Sequence, residues 1–293
     1  MKILRGPTLC GKTDGSYIWT KFRHRAVSQN KMSPVCNLMA VNRVMALIKY
    51  AEYAKLSYCD DVRRAAATKI ERDGAVCWVF GETNAGEDGE TVVAFRGSDS
   101  LEDYVLSLQF ARCSHAVMER AAGACRSLGD VHAGYFAHYK RIREDVRDAI
   151  ADAKRDKRGA AVTFVGHSLG GVCGTFGAID AISAGVAGSV SCYTYGAPAI
   201  GTHEFCERVA ANVPDYHRVV NVHDLAPHIT ENLNRHVNVN VVRVGGFERP
   251  RRDMVYHHCI ETYILHLKRM QYRMHAMPRT MRGGMSGCKQ LPS

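Results

Sequence analysis

A run of apolar residues rich in Val and Phe, AAVTFVGH (160–167), leads directly into Gly166-His167-Ser168-Leu169-Gly170-Gly171, and a helical pattern, LGGVCGTFGAIDAI, follows at once. This junction constrains the fold more than any other stretch of the 293 residues. A continuous apolar strand is one buried on both faces. When such a strand turns into a helix within about two residues, side chains two before and two after the turn collide with neighbouring elements, so Gly occupies both places. The residue at the turn is held in a strained conformation with its side chain outward. The helix behind it aims backbone N–H groups at any negative charge that develops there. Ser168 is therefore the candidate nucleophile, with Gly166, His167 and Gly170 as its elbow. His167 is expected to point away from the chemistry. The rival reading, a glycine-rich turn with an incidental serine, fits less well because both flanks and Gly171 match.

The rest of the chain alternates between the two kinds of element. A helical spacing covers about 36–57, and strand-like runs cover 75–82 and 90–97, with a hairpin-type turn from Asn84 to Gly89 between them. Helices are expected over 99–108, 135–154, after Ser168, at 203–212 and at 257–270. Strands are expected at 189–198, 215–222 and 237–245. The stretch 109–130 reads as polar and helix-like. Strands alternating with helices predict an α/β fold with a mostly parallel sheet covered by helices on both faces, whose reactive groups gather at the carboxyl edge of the strands. Three segments are expected: a basic arm over 1–33, the α/β domain over 34–270 and a basic tail over 271–293.

A serine hydroxyl attacks only when a base takes its proton, and a buried carboxylate orients that base. With a G-x-S-x-G elbow the order along the chain is Ser, then Asp or Glu, then His. Asp224 lies just past the apolar run Val219-Val220-Asn221-Val222, and Pro227 blocks regular structure behind it. Asp215 stands at the entry of that strand, the wrong edge, and Asp253 stands in a basic loop. Asp224 is favoured. Of the 14 histidines, His223 and His228 flank Asp224 too closely to make the required side-chain geometry. The pair His257-His258 opens a helix after the last strand, where a loop can bring an imidazole over Ser168. The residues alone leave the choice between these two open.

Composition bounds the setting. No run of about 18 apolar residues exists to span a bilayer, and the first 25 residues lack the apolar core of a signal peptide. Eleven cysteines, an odd number, are scattered without a CxxC pair or zinc-type spacing. Free thiols in a cytoplasmic or other reducing compartment are the expectation, and neither metal nor organic cofactor is called for. The net charge of +10 sits at the ends: the first 50 residues hold nine Lys/Arg and one acid, and the last 45 hold nine against two. Basic ends on an acidic body suit a polyanionic surface. Few aromatics stand among those charges, which disfavours nucleic acid and points to anionic membrane or a lipid droplet. Solvated, unstructured ends are the plainer alternative.

Together these motifs resemble the class 3, or fungal-type, lipases of the α/β-hydrolase fold. The resemblance spans about 38–266. AKLSYC (54–59) is similar to that family's early helix end, and VVAFRGSDSLEDYVLSL (92–108) to its strand, Arg-Gly turn and Asp-aromatic segment. VHAGYFAHY (131–139), GHSLGG, YTYGAPAIG (193–201) and VVNVHDLAPHI (219–229) follow in the family's order, and HCIETYI (258–264) resembles its terminal His with a Tyr five residues on. That last match selects His258. The resemblance implies an oxyanion hole made by the backbone N–H of Leu169 and by Ser98. It leaves Arg96 as structural, and it places a lid over 99–108. There Leu101, Tyr104, Val105 and Leu108 form one apolar stripe, which suits an ordinary amphipathic helix equally well. The activity implied is hydrolysis of acyl esters of glycerolipids through an acyl-enzyme. The alternative is a lipase-like scaffold that binds a lipid surface or partner without turnover. Lipid class, chain-length preference and oligomeric state are not fixed by these residues.

Overall fold

The computed structural model describes residues 34–63, 67–82, 89–98, 115–118, 128–155, 161–231, 234–246 and 253–276. The expected arm (1–33), the candidate lid with Leu101, Tyr104, Val105 and Leu108, and the last 17 residues of the chain lie outside them.

Seven strands form the central sheet: β1 (Ala67–Arg72), β2 (Ala75–Glu82), β3 (Glu90–Phe95), β6 (Ala161–His167), β7 (Ser189–Tyr195), β8 (Asp215–Asn221) and β9 (Val241–Val244), hydrogen-bonded in that spatial order. β1, β2 and β3 pair antiparallel. From β3 through β6, β7 and β8 to β9 every pairing is parallel. The expected architecture, a mostly parallel sheet with helices on both faces, is the one observed. Two further strands, β4 (His115–Met118) and β5 (Gly129–His132), pair antiparallel in a small separate sheet. They correct the helix-like reading of 109–130. A four-residue strand is too short to show a period against its polar flanks.

Two cores follow from the two faces. On one, helix α1 (Pro34–Leu56) and helix α7 (Ile260–Ala276) cover Trp78, Val92, Ala94, Val165, Tyr195 and Val219. Leu47, Ala51 and Ala54 of α1 are buried at helical spacing. The two helices run antiparallel, as the ion pairs Lys55–Glu261 (3.4 Å) and Lys268–Glu52 (2.8 Å) fix. On the other face lie α2 (Ala133–Lys140), α3 (Arg143–Arg155), α4 (Leu169–Ser183) and α5 (His203–Asn212) over Val93, Phe95, Phe164 and Cys192. Residues 135–154 were expected as one helix; the chain instead turns at 141–142 between α2 and α3. α4 is buried along nearly its whole length. Its glycines let it lie against β6: a Cβ at Gly177 would stand 2.8 Å from the Phe164 ring.

The strand expected over 237–245 is only the four residues of β9. The helix expected over 257–270 begins earlier, as α6 (Met254–His258), breaks at Cys259 where the backbone is extended (ψ 137°), and resumes as α7. α7 continues to Ala276, six residues past the expected domain boundary at 270.

Candidate active site

The elbow is built as its sequence requires. Ser168 has φ 57° and ψ −128°, a conformation L-residues rarely adopt, between the end of β6 and the first turn of α4. A Cβ on Gly166 would overlap the carbonyl group of Gly170, and one on Gly170 would overlap the carbonyl oxygen of Phe95. The Ser168 N–H donates to the Tyr195 carbonyl at 2.9 Å, which ties the turn to the end of β7. Ser168 is 3% exposed, and its Oγ has no hydrogen-bond partner.

Asp224 and His258 come together from elements 34 residues apart. His258 Nδ1–H donates to Asp224 Oδ2 at 2.7 Å, with both side chains buried. This bond fixes the tautomer and leaves a lone pair on Nε2, an atom that is itself buried and unpartnered. Asp224 sits in the loop after β8, where its Oδ1 accepts the Ala226 N–H at 2.9 Å. The Tyr263 hydroxyl donates to Oδ2 at 2.6 Å. Burial and the neighbouring Asp224 carboxylate push the Tyr263 hydroxyl well above its ordinary pKa, so it remains a donor. Gly196, at φ 60°, makes room for this pair: a Cβ there would stand 2.9 Å from both Asp224 Oδ2 and the Tyr263 oxygen. Asp215 bonds His217 at the opposite edge of the sheet (2.8 Å), and Asp253 caps α6; neither joins this cluster.

His257, the other candidate base, packs its ring 5.2 Å from that of His223. The Asn221 side-chain amide donates to the His257 carbonyl at 2.8 Å. The expectation that His167 points away from the chemistry is corrected. Its Nε2 lies 2.6 Å from the carbonyl oxygen of His258, and its Nδ1 lies 2.8 Å from the Tyr58 hydroxyl. No local pattern could signal that contact, since the partners stand 91 and 109 positions away.

Of the expected oxyanion donors, Leu169 opens α4, where the first backbone N–H groups have no helical acceptor. Ser98 follows the Phe95–Gly97 segment, which presses on the elbow at Gly170. Arg96 is held in the scaffold, its N–H on the Val76 carbonyl and its guanidinium on Asp60.

The class 3 lipase model matches residues 92–233, from β3 through Ser168 and past Asp224. Over that segment the chain is similar to the class 3 lipases. It is 28% identical over 156 residues to a lipase of Rhizomucor miehei, across 50% of this chain and 41% of that protein. It is 30% identical over 95 residues to the secreted mono- and diacylglycerol lipase LIP1 of Malassezia globosa, across 32% of this chain and 31% of that one. These matches thus span less than half the length of either relative. A solved triacylglycerol lipase from Penicillium expansum shares the fold of this chain, with a TM-score of 0.60 at 17% identity over 70% of this chain and 81% of that one.

The comparison corrects the expected cytoplasmic or otherwise reducing location, because relatives of this chain are named as secreted. The error has a physical source. Cys77, Cys173, Cys192 and Cys206 are buried, and burial pushes the Cys173 thiol up to about 12. Such a thiol packs as a small hydrophobe whatever the compartment.

Proposed function

We propose that this chain is a serine carboxylic ester hydrolase acting on acyl esters of glycerolipids. Ser168 attacks the ester carbonyl as His258 Nε2 takes its proton. The tetrahedral oxygen is received by the Leu169 N–H and Ser98. His258 then protonates the leaving alcohol, and water resolves the acyl-enzyme by the same route. Asp224 holds the imidazole in the tautomer that presents Nε2 and stabilises its positive form. The observation that carries this reading is the buried 2.7 Å bond from His258 Nδ1 to Asp224, with His258 Nε2 and Ser168 Oγ both left unpartnered.

A lipid substrate is supported by the apolar rim. Val222 and Leu225 beside Asp224, and Met254 and Val255 just before His257, are exposed large hydrophobic side chains on the two segments that carry acid and base. Like its secreted relatives, the enzyme would act outside the cell. The basic ends join the fold elsewhere. Ser57, just past α1, bonds the carbonyl of Phe95 at the site, so the start of α1 and the end of α7 lie at the far end of the helix pair, about 33 Å away along α1 and about 24 Å along α7 at 1.5 Å per residue.

The test is hydrolysis of short-chain and long-chain nitrophenyl esters by the wild type and by Ser168→Ala. Activity abolished by the substitution supports the reading. Activity absent in the wild type on every ester, with no labelling of Ser168 by a fluorophosphonate, would favour the non-catalytic scaffold.

A further inference from the structure

We infer that Tyr58 and His167 form a positioning pair that holds the base through its main chain. The inference rests on the hydrolase reading above. A carbonyl oxygen can only accept, so the 2.6 Å contact to the His258 carbonyl makes His167 Nε2 the protonated nitrogen. Nδ1 then carries the lone pair, and the Tyr58 hydroxyl donates to it at 2.8 Å. Both ring nitrogens are thus engaged in one fixed orientation. Burial, followed by the nearby His258, holds the His167 pKa well below the ordinary value, which keeps the ring neutral.

That arrangement answers a mechanical problem. His258 is the last residue of a five-residue helix, and the backbone breaks at Cys259 directly after it. The side-chain bond to Asp224 fixes the ring, but the backbone that carries the ring needs its own anchor. Side chains anchor it at two successive carbonyls: the Asn221 amide on that of His257 and the His167 imidazole on that of His258. The second anchor comes from the residue adjacent to the nucleophile, so base and nucleophile are set relative to each other through a single hydrogen bond. Tyr58 adds a third element. A Cβ on Gly97 would overlap its hydroxyl, so Tyr58 lies against the turn that leads to Ser98. Neutrality matters as well. The His167 and His258 rings are 4.6 Å apart, and a charged His167 would oppose the imidazolium that His258 becomes during turnover.

The test uses two amides of different reach. His167→Gln places an amide nitrogen near the position of Nε2 and keeps a donor for the His258 carbonyl. His167→Asn reaches only as far as Nδ1. Tyr58→Phe removes the tautomer-setting donor. Each is assayed for kcat and KM on a soluble short-chain ester, beside wild type and Ser168→Ala, with thermal midpoints measured to establish folding. The expected result is a kcat for His167→Asn about 10- to 100-fold below wild type, the scale of a misplaced catalytic group, with KM within about threefold. His167→Gln recovers most of that loss, and Tyr58→Phe falls between. Equal kcat values for the Asn and Gln variants, or a loss expressed in KM alone, would overturn the positioning role. An inactive wild type would instead sink the hydrolase reading on which it rests. Should His167→Asn fail to fold, Tyr58→Phe decides: a wild-type kcat in that variant overturns the pair.

Discussion

Asp224 Oδ2 accepts the Nδ1–H of His258 at 2.7 Å inside the protein, where neither side chain meets solvent to any extent. The carboxylate therefore acts on the imidazole as a fixed acceptor. Asp224→Asn keeps the shape but offers an amide that favours the opposite tautomer, which turns a protonated Nε2 toward Ser168. The expected outcome is a fall in kcat of about 10⁴ with the fold retained, read from ester hydrolysis and circular dichroism. A loss of less than about tenfold would remove Asp224 from the role proposed for it.

Tyr263 donates to the same oxygen at 2.6 Å. Tyr263→Phe removes one of the donors to a buried carboxylate, a loss of about 1.5–3 kcal/mol for a hydrogen bond to a charged group. Denaturant unfolding should show a shift of that size, with kcat lowered far less than by Asp224→Asn. Unchanged stability would mean that the hydroxyl is not holding Asp224.

The elbow gives a steric prediction. A Cβ at Gly166 would overlap the Gly170 carbonyl, whereas one at Gly188 meets nothing within 4 Å. Gly166→Ala should lose both activity and at least about 3 kcal/mol of stability, the range of severe backbone and packing disruption, while Gly188→Ala stays within about 0.5 kcal/mol of wild type. Equal stability of the two variants would show that the close approach at the elbow is not structurally required.

What could be read from the residues follows the range of the forces involved. The β6–Ser168–α4 junction was legible because the steric requirement is local: two glycines and an apolar strand encode it within a dozen positions. Asp224 was legible from its place after an apolar run. The choice of His258 over His257 needed the resemblance, since adjacent residues on one short helix look alike until the break at Cys259 decides which ring faces Asp224. The contact from His167 to the His258 carbonyl was illegible because it is a long-range bond to a main-chain atom, and main-chain atoms carry no sequence signal. β4 and β5 were missed because short strands in a polar stretch leave no period.

Among the described residues, five histidines, at 138, 167, 223, 236 and 266, have pKa values lowered from the ordinary value, with burial the first cause in each. His236, buried and beside Arg218, is brought down to about 4. The unfolded chain binds protons on these groups near pH 6.5 and the native state does not. Stability should therefore be complete above that pH and fall as acidification proceeds toward pH 4, with a slope of up to about 1.4 kcal/mol per pH unit for a buried histidine such as His236 and less for the partly exposed His138 and His223, where solvent screens the effect. Asp215, lowered to about 2 by its bond to His217, continues the same trend at lower pH. Denaturant unfolding of wild type and His236→Gln from pH 7.5 to 4 provides the check. The variant should lose stability less steeply by about one proton, and parallel curves would remove His236 from the account.

The last prediction concerns the charged ends. α1 and α7 are antiparallel, so the basic segments preceding Pro34 and following Ala276 join the fold at one end, opposite the site. An attraction of this kind is screened by salt, over about 10 Å at 0.1 M ionic strength. Binding to vesicles containing anionic phospholipid should weaken as salt is raised from about 0.05 to 0.5 M. It should also weaken when residues 277–293 are removed, while turnover of a soluble short-chain ester is unchanged by either. Vesicle binding that is insensitive to both salt and truncation would assign the lipid contact to the apolar rim around Val222, Leu225, Met254 and Val255 instead.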